Sequence, residues 1–160
     1  MRKLILIRHA KSSWEVPCKD IYRPLTDVGI ERANKVAIKT KSFINTDYYI
    51  TSSPATRAFE TAKIFLTQWI IPISNCLQIS ELYTFDVDSL EEIVKSYPNS
   101  HENVIIFGHN DAITEFVNKF VDEKIINVPT AGFVEIVFDS NDWKSIKKGT
   151  TNTVIFPKFI

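Results

Sequence analysis

Two arginines and two histidines stand where they could bind and attack an anion. Arg8 and His9 are adjacent, Arg57 follows a Ser-Ser-Pro segment, and His109 follows a glycine. A guanidinium beside an imidazole is useful when both groups face a third, anionic body. An imidazole can also accept a transferred group in covalent catalysis. Together the four side chains predict a phosphate pocket that contains a nucleophile.

Each of these segments follows the predicted end of a β-strand. Short apolar runs at 3–7, 48–51 and 104–107 have the pattern of buried strands. In open α/β sheets, ligands bind outside the carboxyl ends of the strands. We therefore expect the three segments to meet at one edge of a sheet.

Arg57 is expected to lie near the start of a helix. Ser53 is the predicted N-cap, Pro54 is the predicted first helical residue, and the helix is expected to reach about Trp69. Helical side chains lean toward the N-terminus of the helix, so Arg57 can reach the free N–H groups there. Those N–H groups and the helix dipole favour an anion.

The remaining segments alternate between strand-like and helix-like patterns, which is typical of a layered α/β fold. Further helices are predicted from Thr26 or Asp27 along a stripe ending at Ile44, over 87–97, and along a stripe from Ile113 to Val121. Further strands are predicted at 73–79, 133–138, 143–146 and 153–156. Because the chain has no repeat or linker, residues 1–160 are expected to form a single domain.

The composition narrows the expected partners and location. The 19 basic and 19 acidic side chains cancel, which argues against nucleic acid or an anionic membrane as the main partner. No apolar run is long enough for a signal peptide or a membrane span, so a cytoplasmic location is expected. The two cysteines lack CxxC spacing and the histidines lack HExxH or HxH spacing, so neither a disulfide framework nor a metal site is expected.

The sequence resembles the histidine phosphatase superfamily, whose fold is phosphoglycerate-mutase-like. The resemblance covers 4–110 and rests on the strand that ends in Arg-His, the SSPATRAFETA segment at 52–62 and the late Gly-His pair. The RHAKSSW segment, and PTAG at 129–132 with a later tryptophan, also resemble the small SixA-like phosphohistidine phosphatase branch. The resemblance implies a fold of the α/β class, a three-layer α/β/α sandwich with a mostly parallel central sheet and no large cap insertion. It also implies that no cofactor is needed.

One position departs from the pattern of that superfamily. Ala10 follows the Arg-His pair where glycine is usual. Alanine tolerates a positive φ poorly. The loop after His9 is therefore expected to have an ordinary backbone conformation or to carry strain.

The resemblance also implies a role for each pocket residue. His9 would attack phosphorus and become a phosphohistidine, which water then hydrolyses. Arg8 and Arg57 would bind the phosphoryl oxygens, and His109 would donate a hydrogen bond to the same group. Further phosphate contacts are expected from Ser12 and Asn110. The candidate general acid is Glu81, with Asp111 as a weaker alternative that could instead cap a helix.

The spacing of these residues favours an open pocket. Residues 58 to 108, 51 in number, separate Arg57 from His109, and predicted elements fill most of them. An open pocket suits a phosphorylated protein, in particular one carrying phosphohistidine. The alternative is a phosphomonoesterase or mutase that acts on a small phosphorylated metabolite. A non-catalytic phosphate-binding module is disfavoured, because binding alone needs no nucleophile. Phosphate or sulfate should bind in each case, and a monomer is compatible with the sequence.

Overall fold

A six-stranded mixed sheet forms the centre of the protein in a computed structural model that describes residues 1–44 and 47–160. Its strands are β1 (Arg2–Arg8), β2 (Tyr49–Ser52), β3 (Cys76–Gln78), β4 (Asn103–Gly108), β5 (Phe133–Phe138) and β6 (Thr150–Ile155). Their order in the sheet is β3-β2-β4-β1-β5-β6. The first four strands pair parallel with one another, whereas β5 pairs antiparallel with both β1 and β6. The prediction of a mostly parallel sheet is confirmed.

Within the described residues, four α-helices cover the two faces of this sheet. They are α1 (Asp27–Thr40), α2 (Thr56–Trp69), α3 (Val87–Ser96) and α4 (Ala112–Phe120). Short 3-10 turns lie at Asp20–Tyr22, Lys41–Phe43, Ile73–Asn75, Ser80–Leu82, Trp143–Ser145 and Pro157–Phe159. The hydroxyl of Thr26 accepts a hydrogen bond from the N–H of Gly29 at 3.0 Å, so Thr26 is the N-cap of α1. Of the two residues predicted as its cap, Thr26 and Asp27, the first is therefore the cap. Among the described residues, no helix combines the length and apolarity that crossing a membrane requires.

The two faces of the sheet bury separate apolar cores. Along β1, Leu4 and Leu6 pack with α3 and α4, whereas Ile5 and Ile7 pack with α1 and α2. This alternation follows from the two-residue period of a strand. Both sets are fully buried, which is the pattern of a strand covered by helices on both sides. The three-layer sandwich is therefore confirmed, and the described segment between α2 and β4 contains no large cap.

Helix α2 begins later than the sequence predicted. Its first residue is Thr56 and its N-cap is Ala55, so the prediction of Ser53 as N-cap and Pro54 as first residue is wrong. The N–H of Ser53 instead donates to the carbonyl of Phe107 at 3.0 Å. This bond prolongs the pairing of β2 with β4 by one residue and delays the helix.

Other boundaries also differ from the prediction. The strand expected at 143–146 is wrong: the segment forms a 3-10 turn, because Asp142 accepts from the N–H of Lys144 at 2.9 Å. The strand expected at 73–79 shortens to β3 and follows a 3-10 turn. The final strand starts at Thr150, three residues before the predicted start, and ends at Ile155.

Candidate active site

A cavity of about 410 Å³ opens at the carboxyl ends of the parallel strands. We call it the His9 cavity. It is lined by Arg8, His9, Lys11, Ser12, Trp14, Asp20, Arg23, Arg57, Phe85, Asn110 and Thr130. His109 lies against it, since its ring centroid is 5.3 Å from that of His9. Arginine and histidine side chains from three strand ends therefore meet at one place.

The hydrogen bonds of His9 leave one ring nitrogen available. Its Nδ1 lies 2.7 Å from the carbonyl oxygen of Ala10. Because a carbonyl only accepts, Nδ1 carries the hydrogen and Nε2 carries the lone pair. Burial lowers the pKa of His9 to about 4, and Arg57, Arg8 and Arg23 act in the same direction, against the bond to Ala10. At neutral pH His9 is an uncharged imidazole, the form in which a histidine can act as a nucleophile.

The loop after His9 is held from both sides without backbone strain at Ala10. The N–H of Ala10 donates to Thr61 at 2.9 Å, and Ala10 is fully buried. The non-glycine residues with positive φ in the described chain are Ile70 and Ala131. Of the two conformations expected for the loop, Ala10 therefore has the ordinary one and not the strained one. Gly29 of α1 approaches this loop so closely that a Cβ there would lie 2.2 Å from the carbonyl oxygen of Lys11.

The buried Arg57 and the half-buried Arg8 supply positive charge with unused donors. Arg57, only 1% exposed, donates from one terminal nitrogen to the carbonyl of Asp20 at 2.7 Å and from the other to its carboxylate at 2.9 Å. Arg8 donates to the carbonyl of Val128 at 3.0 Å. The Nε atoms of both arginines are buried without a hydrogen-bond partner in the described part of the chain. Burial also lowers the pKa of Arg8, while the nearby Asp111 opposes that shift.

His109 presents a second unused donor. Its Nε2 lies 2.8 Å from the hydroxyl of Ser53, which also accepts from the N–H of Ala55. The hydrogen of that hydroxyl is thus free to point at Nε2, which favours the tautomer with a hydrogen on Nδ1. Nδ1 is buried and has no partner among the described residues. Burial lowers the pKa of His109 to about 3, with His9 and Arg57 adding to the effect.

Asp20 and Arg23 belong to the cavity, although the sequence analysis did not single them out. The carboxylate of Asp20 accepts from the hydroxyl of Tyr83 at 2.5 Å, from Arg57, and from Nε of Arg23 at 3.0 Å. The bond from Tyr83, with those from the two arginines, holds the pKa of Asp20 well below its usual range. A charged pair three residues apart in the loop after the Arg-His segment was the signal that could have identified them.

Arg23 links the rim of the cavity to Ser12. It donates to the hydroxyl of Ser12 at 2.7 Å, and its guanidinium carbon lies 3.5 Å from the ring centroid of Trp14. Ser12 therefore lies in the cavity with its hydroxyl already bonded to a cation. Trp14 is 77% exposed, so the indole stands at the mouth of the cavity.

Asn110 lines the cavity, but both ends of its amide are bonded elsewhere. Its Nδ2 donates to Asn127 at 2.8 Å, and its Oδ1 accepts from the N–H of Thr114 at 3.0 Å. The second bond caps α4. Asp111 occupies the N-cap position of that helix without a side-chain bond to it, so the cap expected there comes from the preceding residue.

The structure does not bring Glu81 to His9. Glu81 lies in an exposed 3-10 turn and lines a separate cavity, which we call the Glu81 cavity. That cavity is lined by Tyr49, Ile79, Glu81, Glu92, Ile93, Ser96, Tyr97 and Pro98. The structure thus brings Arg8, His9, Ser12, Arg57, His109 and Asn110 together and leaves the candidate general acid apart. Within residues 1–44 and 47–160, no group of three or more His, Cys, Asp or Glu side chains is placed to hold a metal ion.

Comparison with known proteins places this chain in a family. The sequence model of the histidine phosphatase superfamily (branch 1) matches residues 4–103, and the chain belongs to that superfamily. An uncharacterised chloroplastic protein of Arabidopsis thaliana is 33% identical over 118 residues, which are 68% of this chain and 54% of that protein. The chain therefore spans about half the length of this curated relative.

Solved structures share the fold at low sequence identity. The protein histidine phosphatase SixA, complexed with tungstate, superposes with a TM-score of 0.80 at 20% identity and covers 98% of both chains. A putative alpha-ribazole-5'-P phosphatase from Escherichia coli superposes with a TM-score of 0.71 at 15% identity, again over 98% of both chains. At these identities the likeness concerns the fold.

Proposed function

We propose that this protein is a phosphatase that uses His9 as a covalent nucleophile and acts on phosphohistidine in a protein. The observation that carries the proposal is the state of His9. Its imidazole is uncharged at neutral pH, its Nδ1–H is tied to Ala10, and its Nε2 lone pair is left for attack. Two arginines, the buried Arg57 and the half-buried Arg8, stand beside it with Nε donors that have no partner among the described residues.

In the first step, Nε2 of His9 attacks phosphorus. A P–N bond forms to His9 while the bond to the leaving group breaks, and the leaving atom keeps the electron pair of that bond. The phosphorylated ring of His9 is positively charged, because Nδ1 keeps its hydrogen. The bond from Nδ1 to the carbonyl of Ala10 stabilises that charge.

In the second step, water attacks the phosphohistidine on His9. A P–O bond forms, the P–N bond breaks with its electron pair returning to Nε2, and the proton of the water is released to solvent. The ring leaves as a neutral imidazole. Phosphate is the product, and His9 is ready for another cycle.

The surrounding donors stabilise the phosphoryl group during both steps. Arg8, Arg57 and the Nδ1–H of His109 are preorganised by bonds to Val128, Asp20 and Ser53. Donors fixed in advance cost little reorganisation when charge develops on the phosphoryl oxygens. Asp20 shares Arg57 with the incoming phosphate, so the carboxylate also limits the net positive charge of the empty cavity.

The position of the carboxylates supports phosphohistidine as the substrate. Of the lining residues named above, Asp20 alone bears a carboxyl group; its lowered pKa keeps it ionised, and Glu81 lines another cavity. An alkoxide is a poor leaving group and gains roughly 10²–10⁴-fold from a general acid. Imidazole, whose conjugate acid has a pKa of about 6.5, leaves with little help when the other ring nitrogen of the phosphohistidine carries a hydrogen. A site without a poised acid is therefore better suited to cleaving the P–N bond of phosphohistidine than to cleaving the P–O bond of a sugar phosphate.

An activity panel tests the proposal. We expect the wild-type protein to dephosphorylate a phosphohistidine protein, to act much more weakly on sugar phosphates and p-nitrophenyl phosphate, and to lose all three activities in His9→Ala. A small-molecule phosphomonoesterase or mutase would instead prefer a sugar phosphate. Such a preference would reject phosphohistidine as the substrate while leaving the role of His9 intact.

A further inference from the structure

A second, larger cavity adjoins the His9 cavity. It has a volume of about 660 Å³ and lies between the first half of α1 and the end of the chain. We call it the α1 groove; it is lined by Val28, Glu31, Arg32, Lys35, Pro129, Thr130, Pro157, Lys158 and Ile160. Thr130 lines both cavities, so the groove lies next to the site of the proposed chemistry.

The side chains of the α1 groove carry a net positive charge. Arg32, Lys35 and Lys158 are cationic and exposed, whereas Glu31 is its acidic side chain. The side chains of Arg32 and Lys35 make no hydrogen bond or ion pair to any described residue. On other parts of the surface, Lys63, Lys95, Lys119 and Lys148 form ion pairs, whereas Lys39 and Lys41 form none with the described residues.

Charge is therefore distributed unevenly over a neutral chain. Seven of the 19 lysine and arginine side chains line the His9 cavity and the α1 groove, but only two of the 19 acidic side chains do so. The tight contact of Gly29 with the backbone of Lys11 fixes α1 against the loop after His9. Arg32 and Lys35 follow on the same helix, so the backbone that carries these two cations is held in a fixed position relative to the loop after His9.

We propose that the α1 groove binds an acidic segment of the protein substrate, next to its phosphorylated residue. The proposal rests on the function proposed above and adds how a protein substrate is selected. Arg32 and Lys35 are three residues apart on one helix face, where side chains stand about 5–6 Å apart. Acidic side chains three or four residues apart on a substrate helix have the same spacing. A small metabolite held in the His9 cavity would leave these cations uncovered.

Two peptides with a stable phosphohistidine analogue, phosphoryl-triazolylalanine, test this docking surface. In one peptide glutamates flank the analogue, and in the other glutamines replace them. We expect the wild-type protein to bind the glutamate peptide about tenfold more tightly at low salt, with the difference shrinking as salt screens the charges. The double variant Arg32→Glu/Lys35→Glu should lose or reverse the preference.

Lys39→Glu is the matched control, because Lys39 is exposed on the same helix but lies outside the groove. It should keep the full preference of the wild type. Lys158→Glu, on a different element, gives an independent reversal should the double variant fold poorly by circular dichroism. Equal binding of both peptides to the wild type, or a preference that survives these groove variants, would overturn the docking proposal.

Hydrolysis of the corresponding phosphohistidine peptides separates this proposal from the proposed function. Turnover without any preference for glutamate would reject the groove and keep the phosphatase. A charge-dependent preference in binding without turnover by the wild type would keep the groove and reject the proposed reaction.

Discussion

The His9 cavity and the Glu81 cavity differ in how deeply their polar side chains are buried. In the first, His9, Arg57 and His109 are 8%, 1% and 2% exposed, and three polar nitrogens of Arg8, Arg57 and His109 have no partner among the described residues. In the second, Glu81 is exposed on a surface turn. Burying unpaired donors costs free energy. We take such a cost at the ends of three strands as support for the proposed anion site, whereas the exposed carboxylate of Glu81 carries no such cost.

The largest expected effect comes from removing the nucleophile of the His9 cavity. His9→Ala should lower turnover of a phosphohistidine protein by about 10⁴-fold or more, because the covalent route is lost. His101→Ala is the matched control, since that histidine stacks on Tyr49 at 4.0 Å, outside the His9 cavity. Rapid quenching under alkaline conditions should trap an acid-labile phosphoenzyme in the wild type and the control only. Substantial turnover by His9→Ala would contradict the assignment.

A smaller effect is expected when Arg57 is removed. Phosphate, sulfate or vanadate should raise the melting temperature of the wild type, because binding to the folded state stabilises it by mass action. Arg57→Ala removes charge-assisted bonds worth roughly 1.5–3 kcal/mol, so the anion should bind about 10- to 100-fold more weakly. Lys39→Ala, on the exposed face of α1, should retain the wild-type response. An unchanged melting shift in Arg57→Ala would place the anion elsewhere.

The sequence predicted the parts of the site that depend on local structure. Arg8, His9 and His109 follow buried strands whose apolar runs are plain in the sequence, and parallel pairing then brings the strand ends together. Asp20 escaped prediction because its partners Arg57 and Tyr83 are 37 and 63 residues away. The start of α2 was misplaced for a similar reason, since the bond from Ser53 to Phe107 is set by sheet pairing.

Acid should weaken both the reaction and the folded state, owing to the two buried imidazoles. The pKa of His9 is lowered to about 4 and that of His109 to about 3, against an ordinary value near 6.5. Below about pH 6.5 the unfolded chain therefore binds more protons than the empty folded protein. The contribution of these two groups to the free energy of unfolding should fall as pH drops through this window and level off below about pH 3. It should not change steeply above pH 7 on account of these groups.

The lowered pKa of His9 also predicts how kcat/KM depends on pH in acid. Protonation of His9 removes the Nε2 lone pair, so kcat/KM should decline below about pH 4 rather than near 6.5. NMR titration of the two imidazoles in the empty protein measures the pKa values directly. Denaturant unfolding at several pH values measures the change in stability. Two imidazoles that titrate near 6.5 would show that the cavity is more hydrated than its burial implies.

The smallest effect is expected at Glu81, and it bears directly on the choice of substrate. Glu81→Gln should change kcat/KM for a phosphohistidine protein by less than about twofold, because the carboxyl group lines the other cavity and an imidazole leaving group needs little protonation. Glu92→Gln, in the same cavity, is the matched control. The measurement is kcat/KM for a phosphohistidine protein and for a sugar phosphate, in the wild type and both variants. Strong wild-type activity on the sugar phosphate that is lost in Glu81→Gln, but kept in Glu92→Gln, would mean that the Ser80–Leu82 turn brings Glu81 to the substrate. The alternative function, a phosphomonoesterase with Glu81 as its acid, would then replace the one proposed here.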